Sequence, residues 1–255
     1  MSTDTGLGVA AFVVLPLLVA IAVGASRLAQ LRHDKGIVTA AIRAVLQLAL
    51  VGAVVGFALQ TIWGALAFVG VMLTVATITS TRRLRSTAVV PRQLAYCALA
   101  IGGSACVVLL LLILPGVVPR NPETILPMGG IIIGGAMNAT TLAGRRLLHE
   151  YGARFGEYEA GLSIGLLPAD AFKLVASPTA GDALLPALDQ TRTVGLVTLP
   201  GAFVGMVLGG ASPTAAAALQ LVVLLGLIAA EALAILVTTE LLARAALPDG
   251  RTVSS

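Results

Sequence analysis

The pentapeptide at 161–165, GLSIG, has the G-x-S-x-G spacing with which hydrolases present a serine nucleophile on a strand-to-helix turn. Acyl transfer by Ser163 would also need a histidine base and a group to orient it. The chain has two histidines, His33 and His149, and no strand-like alternation precedes the serine, so hydrolysis ranks last among the readings of this stretch. A G-x-x-x-x-G-K-[ST] loop would cradle a nucleotide, but neither Lys35 nor Lys173 follows a glycine. The chain is therefore expected to bind no ATP itself and not to be an enzyme. What remains are polar residues in apolar surroundings, Arg43, Gln47, Asn138, Gln220 and Glu231, whose meaning depends on the elements that hold them.

Of 255 residues, 58% are hydrophobic and 11% charged, against about 25% charged in a soluble domain. Mean hydropathy is +1.00, so this is an integral membrane chain. A bilayer core about 30 Å thick takes about 20 apolar residues per helix. About seven such stretches are expected, near residues 6–26, 37–59, 61–80, 94–118, 124–144, 194–211 and 215–243. The expected fold is all-α and polytopic, one membrane domain over 1–255. The first segment lacks the basic n-region of a signal peptide and is expected to stay attached.

Basic residues fall in alternate loops. Arg27, Arg32 and Lys35 follow the first segment; Arg82, Arg83, Arg85 and Arg92 the third; Arg145, Arg146, Arg154, Lys173 and Arg192 the fifth; Arg244 and Arg251 the last. The other loops hold Arg120. Positive charge marks the cytoplasmic side, which places the N-terminus outside, the C-terminus in the cytoplasm and the GLSIG stretch on the cytoplasmic face. Cys97 and Cys106 lie on one expected helix, about 13 Å apart along its axis. They cannot bridge each other, and both are read as small packing residues.

The excursion from Arg145 to Thr193 is too long for a turn, since loops beyond about 15 residues usually carry function or structure of their own. Tyr158, Leu162, Gly165, Ala169 and Phe172 recur at helical spacing with Glu157, Ser163, Asp170 and Lys173 between them. Gly165 suits the end of one helix and Pro168 the first turn of the next. A helix, a sharp turn and a second helix are thus expected on the cytoplasmic surface. Such an amphipathic element either enters a groove on a partner or lies on lipid headgroups.

Within the membrane, Arg43 and Gln47 are one turn apart on one face. Arg43 stands roughly 9 Å and Glu231 roughly 18 Å inside the cytoplasmic ends of their segments. A charge facing lipid would cost at least about 2.5 kcal/mol, so both are expected to face the bundle or a dimer interface. One reading has Arg43 snorkelling to the headgroups, Glu231 protonated or paired with Gln47, and the amides of Gln47, Asn138 and Gln220 bonding between helices. The other has Gln47, Asn138, Gln220 and Glu231 lining a substrate path, the reading favoured for Glu231. Met128, Met137 and Met206 form no metal-site spacing, and the sequence shows no metal site.

Glu159, Ala160, Gly161 and Gly165, followed by Val175 and Pro178, resemble the E-A-A-x-x-x-G signature by which ABC importer permeases dock on their ATPase. IRAVLQLALVG at 42–52, GGAMNATTLAGRRL at 134–147 and ALDQTRTVGLVTLPGAFVGMVLGGASPTAAAALQ at 187–220 resemble the FetB-type permeases, a family with a bacterial iron-export permease and a plant aluminium-tolerance half-transporter. The resemblance runs from about residue 37 to 243 and rests by position on Arg43, Gln47, Met137, Asn138, Asp189, Thr193, Gly195, Leu196, Pro200, Gly201, Pro213 and Gln220. It implies a permease subunit of the inner (plasma) membrane, dimeric, exporting iron or a similar metal. A separate FetA-type ATPase would carry the ATP and dock at a coupling element made by Glu159, Leu162, Gly165, Pro168 and Phe172. An ATPase-independent secondary transporter or channel is the alternative. No nucleic acid is implied; the remaining partner is membrane lipid. Gly135 stands where the family pattern often has asparagine, Gly181 where a basic residue is common, and Glu231 where a small residue is expected.

Overall fold

Prolines and glycines punctuate a chain that is otherwise helical. The structure, a computed structural model, describes residues 9–84 and 91–245. Arg85 and Arg251 of the basic clusters, and the first residues of the first expected segment, lie outside the described residues. The long helices are α1 (Val9–Leu28), α2 (Asp34–Ala58) and α3 (Ile62–Leu84). A fourth apolar rod follows, made of α4 (Pro91–Ala98), a π-helical turn (Leu99–Gly103) and α5 (Ser104–Ile113). After it come α6 (Pro122–Ala153) and, at the end of the described chain, α11 (Pro213–Ala245). Among the described residues, six helical stretches are long and apolar enough to cross a membrane.

The chain divides into two units, 1–57 and 58–255. In the first, the turn between α1 and α2 is fastened by Asp34, which accepts from Ser26 Oγ at 2.8 Å and Arg27 Nε at 2.9 Å. Large apolar side chains such as Phe12, Leu46 and Leu48 are exposed along both helices, as a lipid-facing surface would be.

In the second unit α3, α6 and α11 run parallel. A Cβ at Gly129 would touch Val69, at Gly130 Met72 and at Gly144 Leu84, so the separation between partners on α3 and α6 stays nearly constant. Ser80 and Thr141 hydroxyls meet at 2.9 Å along the same line. Ile132 lies against Gly226 and Gly135 against Glu231, with Leu147 and Ala243 sharing one apolar cluster further down, which gives α6 and α11 the same sense. The α4–α5 rod packs against α3 and α11: Gly102 lies on Leu73, and Val108 and Leu112 on Gly226. Small residues let these backbones approach closely, the usual basis of helix association in a membrane. Cys97 is buried and Cys106 exposed on this rod.

Because α6 and α11 are parallel, the chain between them must come back along the bundle. It does so in pieces rather than as the single helix expected over 194–211. After α7 (Phe155–Ser163), α8 (Pro168–Ala176) and a 3-10 stretch (Ser177–Leu184) come α9 (Leu185–Thr193) and α10 (Gly201–Leu208). Between α9 and α10, Gly195 takes φ +80°, Gly195 N–H donates to Thr198 O at 2.8 Å, and Thr193 O accepts from Val197 and Thr198. Pro200 then has no N–H to extend a helix backwards. At eight residues, α10 is about 12 Å long, too short to cross alone.

Candidate functional site

Glu231 leans on the backbone of α6 where Gly135 has no side chain, and its carboxylate faces a cavity of about 310 Å³. The cavity lies between the middle of α6 (Ile131, Asn138, Leu142), α11 (Leu227, Glu231) and the returning α9 (Pro186, Gln190). Glu231 is 8% exposed and, among the described residues, has no hydrogen bond or ion pair. Asn138 and Gln190 are exposed and form the polar edge of the opening. One carboxylate and two amides therefore converge in an otherwise apolar recess, the pattern of a small-ligand site.

Gln220 lies on α11 about 16 Å before Glu231 and does not line this cavity. It is buried, and its side-chain oxygen has no hydrogen-bond partner among the described residues. Arg43 and Gln47 belong to the first unit, one turn apart on α2, and both are exposed.

A second constructed region caps one end of α6 and α11. Just past the end of α7, Gly165 adopts φ +94°, Leu166 N–H reaches back to Gly161 O at 3.1 Å and Gly165 N–H to Leu162 O at 3.0 Å. This is the paired bonding that closes a helix at a left-handed glycine. Gly161 serves the packing of α8, since a Cβ there would stand 3.3 Å from the Ala171 Cβ. Both glycines of GLSIG thus have structural reasons. Ser163 Oγ donates to Glu159 O at 2.9 Å within the helix, and the residues leading to it are helical, so the geometry of a nucleophile elbow is not formed.

Helix α8 is held from below. Phe172 packs on Tyr151 with centroids 5.2 Å apart, and Tyr151 on Tyr158 at 5.0 Å. Lys173 Nζ meets Glu240 of α11 at 2.5 Å, and Arg244 Nε meets the same carboxylate at 2.7 Å. Arg146 pairs with Asp182. Arg154 pairs with Glu157 and donates to Val175 O at 3.2 Å; its hydrogen bonds hold the Glu157 carboxyl below the usual range. Phe172, expected on a docking face, is 1% exposed. The amphipathic stripe of α8 is spent on the chain's own core, and Leu162 packs against the same cluster. Pro168 opens α8, and Glu159 is exposed on α7. Apolar side chains project at Ile164 and Leu167, 82% and 68% exposed, at the turn that Gly165 makes, and at Leu174 further along α8.

Residues 9–247 match the uncharacterised protein family UPF0014. The chain belongs to that family. It is 34% identical over 88% of its length to the UPF0014 membrane protein STAR2 of Oryza sativa subsp. japonica, covering 78% of that protein. It is 33% identical over 74% of its length to the protein ALUMINUM SENSITIVE 3 of Arabidopsis thaliana, covering 70% of it. The probable iron export permease protein FetB of Escherichia coli (strain K12) is 28% identical over 87% of this chain and 85% of its own. No solved structure matches.

For this UPF0014 member, the residues expected from sequence fall in separate places: Asn138 and Glu231 share a cavity, Gln220 sits apart on α11, and the residues expected to form a coupling element lie in the cap. Gln190, Ile164 and Leu167 escaped the sequence reading. Gly195 and Pro200 interrupting an apolar stretch was the available signal for Gln190, since Gly- and Pro-broken segments mark binding sites in transporters. Ile164 and Leu167 flank the glycine at a turn, where apolar residues have no packing reason to stand.

Proposed function

We propose that the chain is the transmembrane permease subunit of an ABC transporter, working as a homodimer with a separate FetA-type ATPase that supplies ATP hydrolysis. The observation that carries this reading is the buttressed cap: a helix-turn-helix locked to α6 and α11 that holds Ile164 and Leu167 out at its tip. A rigid base with an apolar tip is the form a helix takes to enter a groove on a partner. Lys173, Glu240 and the aromatic cluster tie that tip to the two helices that line the cavity. The cavity of Glu231, Asn138 and Gln190 is the candidate substrate path. Gln220, Arg43 and Gln47 are further pathway candidates.

The name of the Escherichia coli relative, together with the resemblance in sequence, supports export of iron or a similar metal ion from the cytoplasm. The basic loops support an inner-membrane orientation with the N-terminus outside and the C-terminus cytoplasmic.

Coexpression with its ATPase, followed by purification through a tag on the permease, tests the reading. Wild type should retain the ATPase, whereas Ile164→Asp with Leu167→Asp should lose it while staying inserted and folded, because interface energy concentrates in a few apolar anchors. Transport in vesicles by the permease alone, unaffected by the double variant, would favour the ATPase-independent transporter instead.

A further inference from the structure

The cavity beside Glu231 has the wrong donors for a naked metal ion and the right dimensions for a hydrated one. Direct coordination of a hard divalent cation takes about six or more oxygens, usually with more than one carboxylate, and softer ions take imidazole or thiolate. Glu231 is the single ionisable group on the cavity wall. Among the described residues no group of three His, Cys, Asp or Glu side chains converges. The two amides, Asn138 and Gln190, stand at the opening, and the remaining wall is apolar, with Ile131, Leu142 and Leu227.

An ion that keeps its water shell asks for something different. About six waters of about 30 Å³ each occupy roughly 180 Å³, which the cavity of about 310 Å³ accommodates. Metal-bound waters are donors, and the cavity offers acceptors: the carboxylate of Glu231 and the amide oxygens of Asn138 and Gln190. Glu231 is 8% exposed with no protein partner among the described residues, so a cation's waters would supply the hydrogen bonds and counter-charge it lacks. Apolar walls hold such an ion loosely, and passage requires binding weak enough to release.

Resting on the reading of this cavity as the substrate path, we propose that it recognises a divalent metal ion through its hydration shell, with Glu231, Asn138 and Gln190 bonding to coordinated water and not to the metal. The cargo is then selected by charge and hydrated size. Mn²⁺ is the probe, because electron paramagnetic resonance counts the waters it retains.

The full-length wild type in detergent or nanodiscs should bind Mn²⁺ with its waters in place, and hexaamminecobalt(III), which cannot exchange its ligands, should compete for the site. Glu231→Gln should weaken binding about tenfold or more, the value of a charge-assisted contact. Glu123→Gln, in the exposed first turn of α6, should leave it unchanged. Bound Mn²⁺ stripped of water, failure of hexaamminecobalt(III) to compete, equal weakening by Glu123→Gln, or no Mn²⁺ binding would each overturn the proposal. The competition arm needs no variant. Loss of ATPase retention, by contrast, bears on the permease reading and leaves these binding results standing.

Discussion

A Cβ at position 135 would stand 2.8 Å from Glu231 Oε1 and 2.1 Å from Leu227 Cδ1. The two positions at which the sequence departs from the FetB-type pattern inside the membrane, Gly135 and Glu231, are therefore neighbours. The side chain missing from α6 leaves the room that the larger one on α11 takes. Gly135→Asn should lower the thermal stability of the purified protein, as overpacking does by about 1–3 kcal/mol. Adding Glu231→Ala should recover part of the loss, the remainder belonging to the closer contact with Leu227, since contacting residues couple by about 0.5–3 kcal/mol. Thermal denaturation of the four species in detergent measures this. Additive effects would mean the two sites do not share space.

Phe172 is a core residue of the cap. Phe172→Ala should destabilise the protein by about 3–5 kcal/mol, the usual penalty for emptying a buried aromatic site, and Ser163→Ala should not. Thermal unfolding followed by proteolysis of the 145–193 region gives the comparison. A Phe172→Ala protein as stable as wild type but unable to retain its ATPase would return Phe172 to the docking surface.

Gly165 fixes the turn. Its φ of +94° is one that side chains resist at about 1–3 kcal/mol, so Gly165→Val should loosen the α7–α8 junction and raise protease sensitivity between residues 160 and 170. Open space surrounds the position, so backbone strain alone would be responsible, and Gly165→Asn, which tolerates positive φ better, should be milder. Equal effects of Val and Asn would point to some other cause.

Orientation is open to labelling. In a background with Cys97 and Cys106 replaced, Asn121→Cys should react with an impermeant thiol reagent from outside intact cells, and Arg154→Cys only after the cytoplasmic face is opened. The reverse pattern would turn the protein over.

Hydropathy disclosed the six membrane-length helices and loop length the cap, because a helix in lipid must satisfy its own backbone and therefore writes itself as an apolar run; the seventh expected run, 194–211, is broken at Gly195 and Pro200. Gly165 and Pro168 read correctly as an end and a beginning. Phe172 misled because an amphipathic stripe says that a face is covered without saying by what. Here α6 and α11 run far enough past the bilayer, each about 50 Å long, to cover it themselves. Gln190 was hidden for a related reason: composition assigned it to a surface loop, whereas the parallel sense of α6 and α11 brings α9 back along the middle of α6. That relation exists only in three dimensions.

The break between α9 and α10 also bears on how the protein is made. A membrane insertase recognises segments long enough to partition by themselves, and the Gly195–Pro200 interruption denies the return leg that status. Its α10 portion packs on α11, the last helix among the described residues. Packing of α10 on α11 therefore waits until α11 has been made, and the wall that Leu227 and Glu231 give the cavity is added after those of α6 and α9.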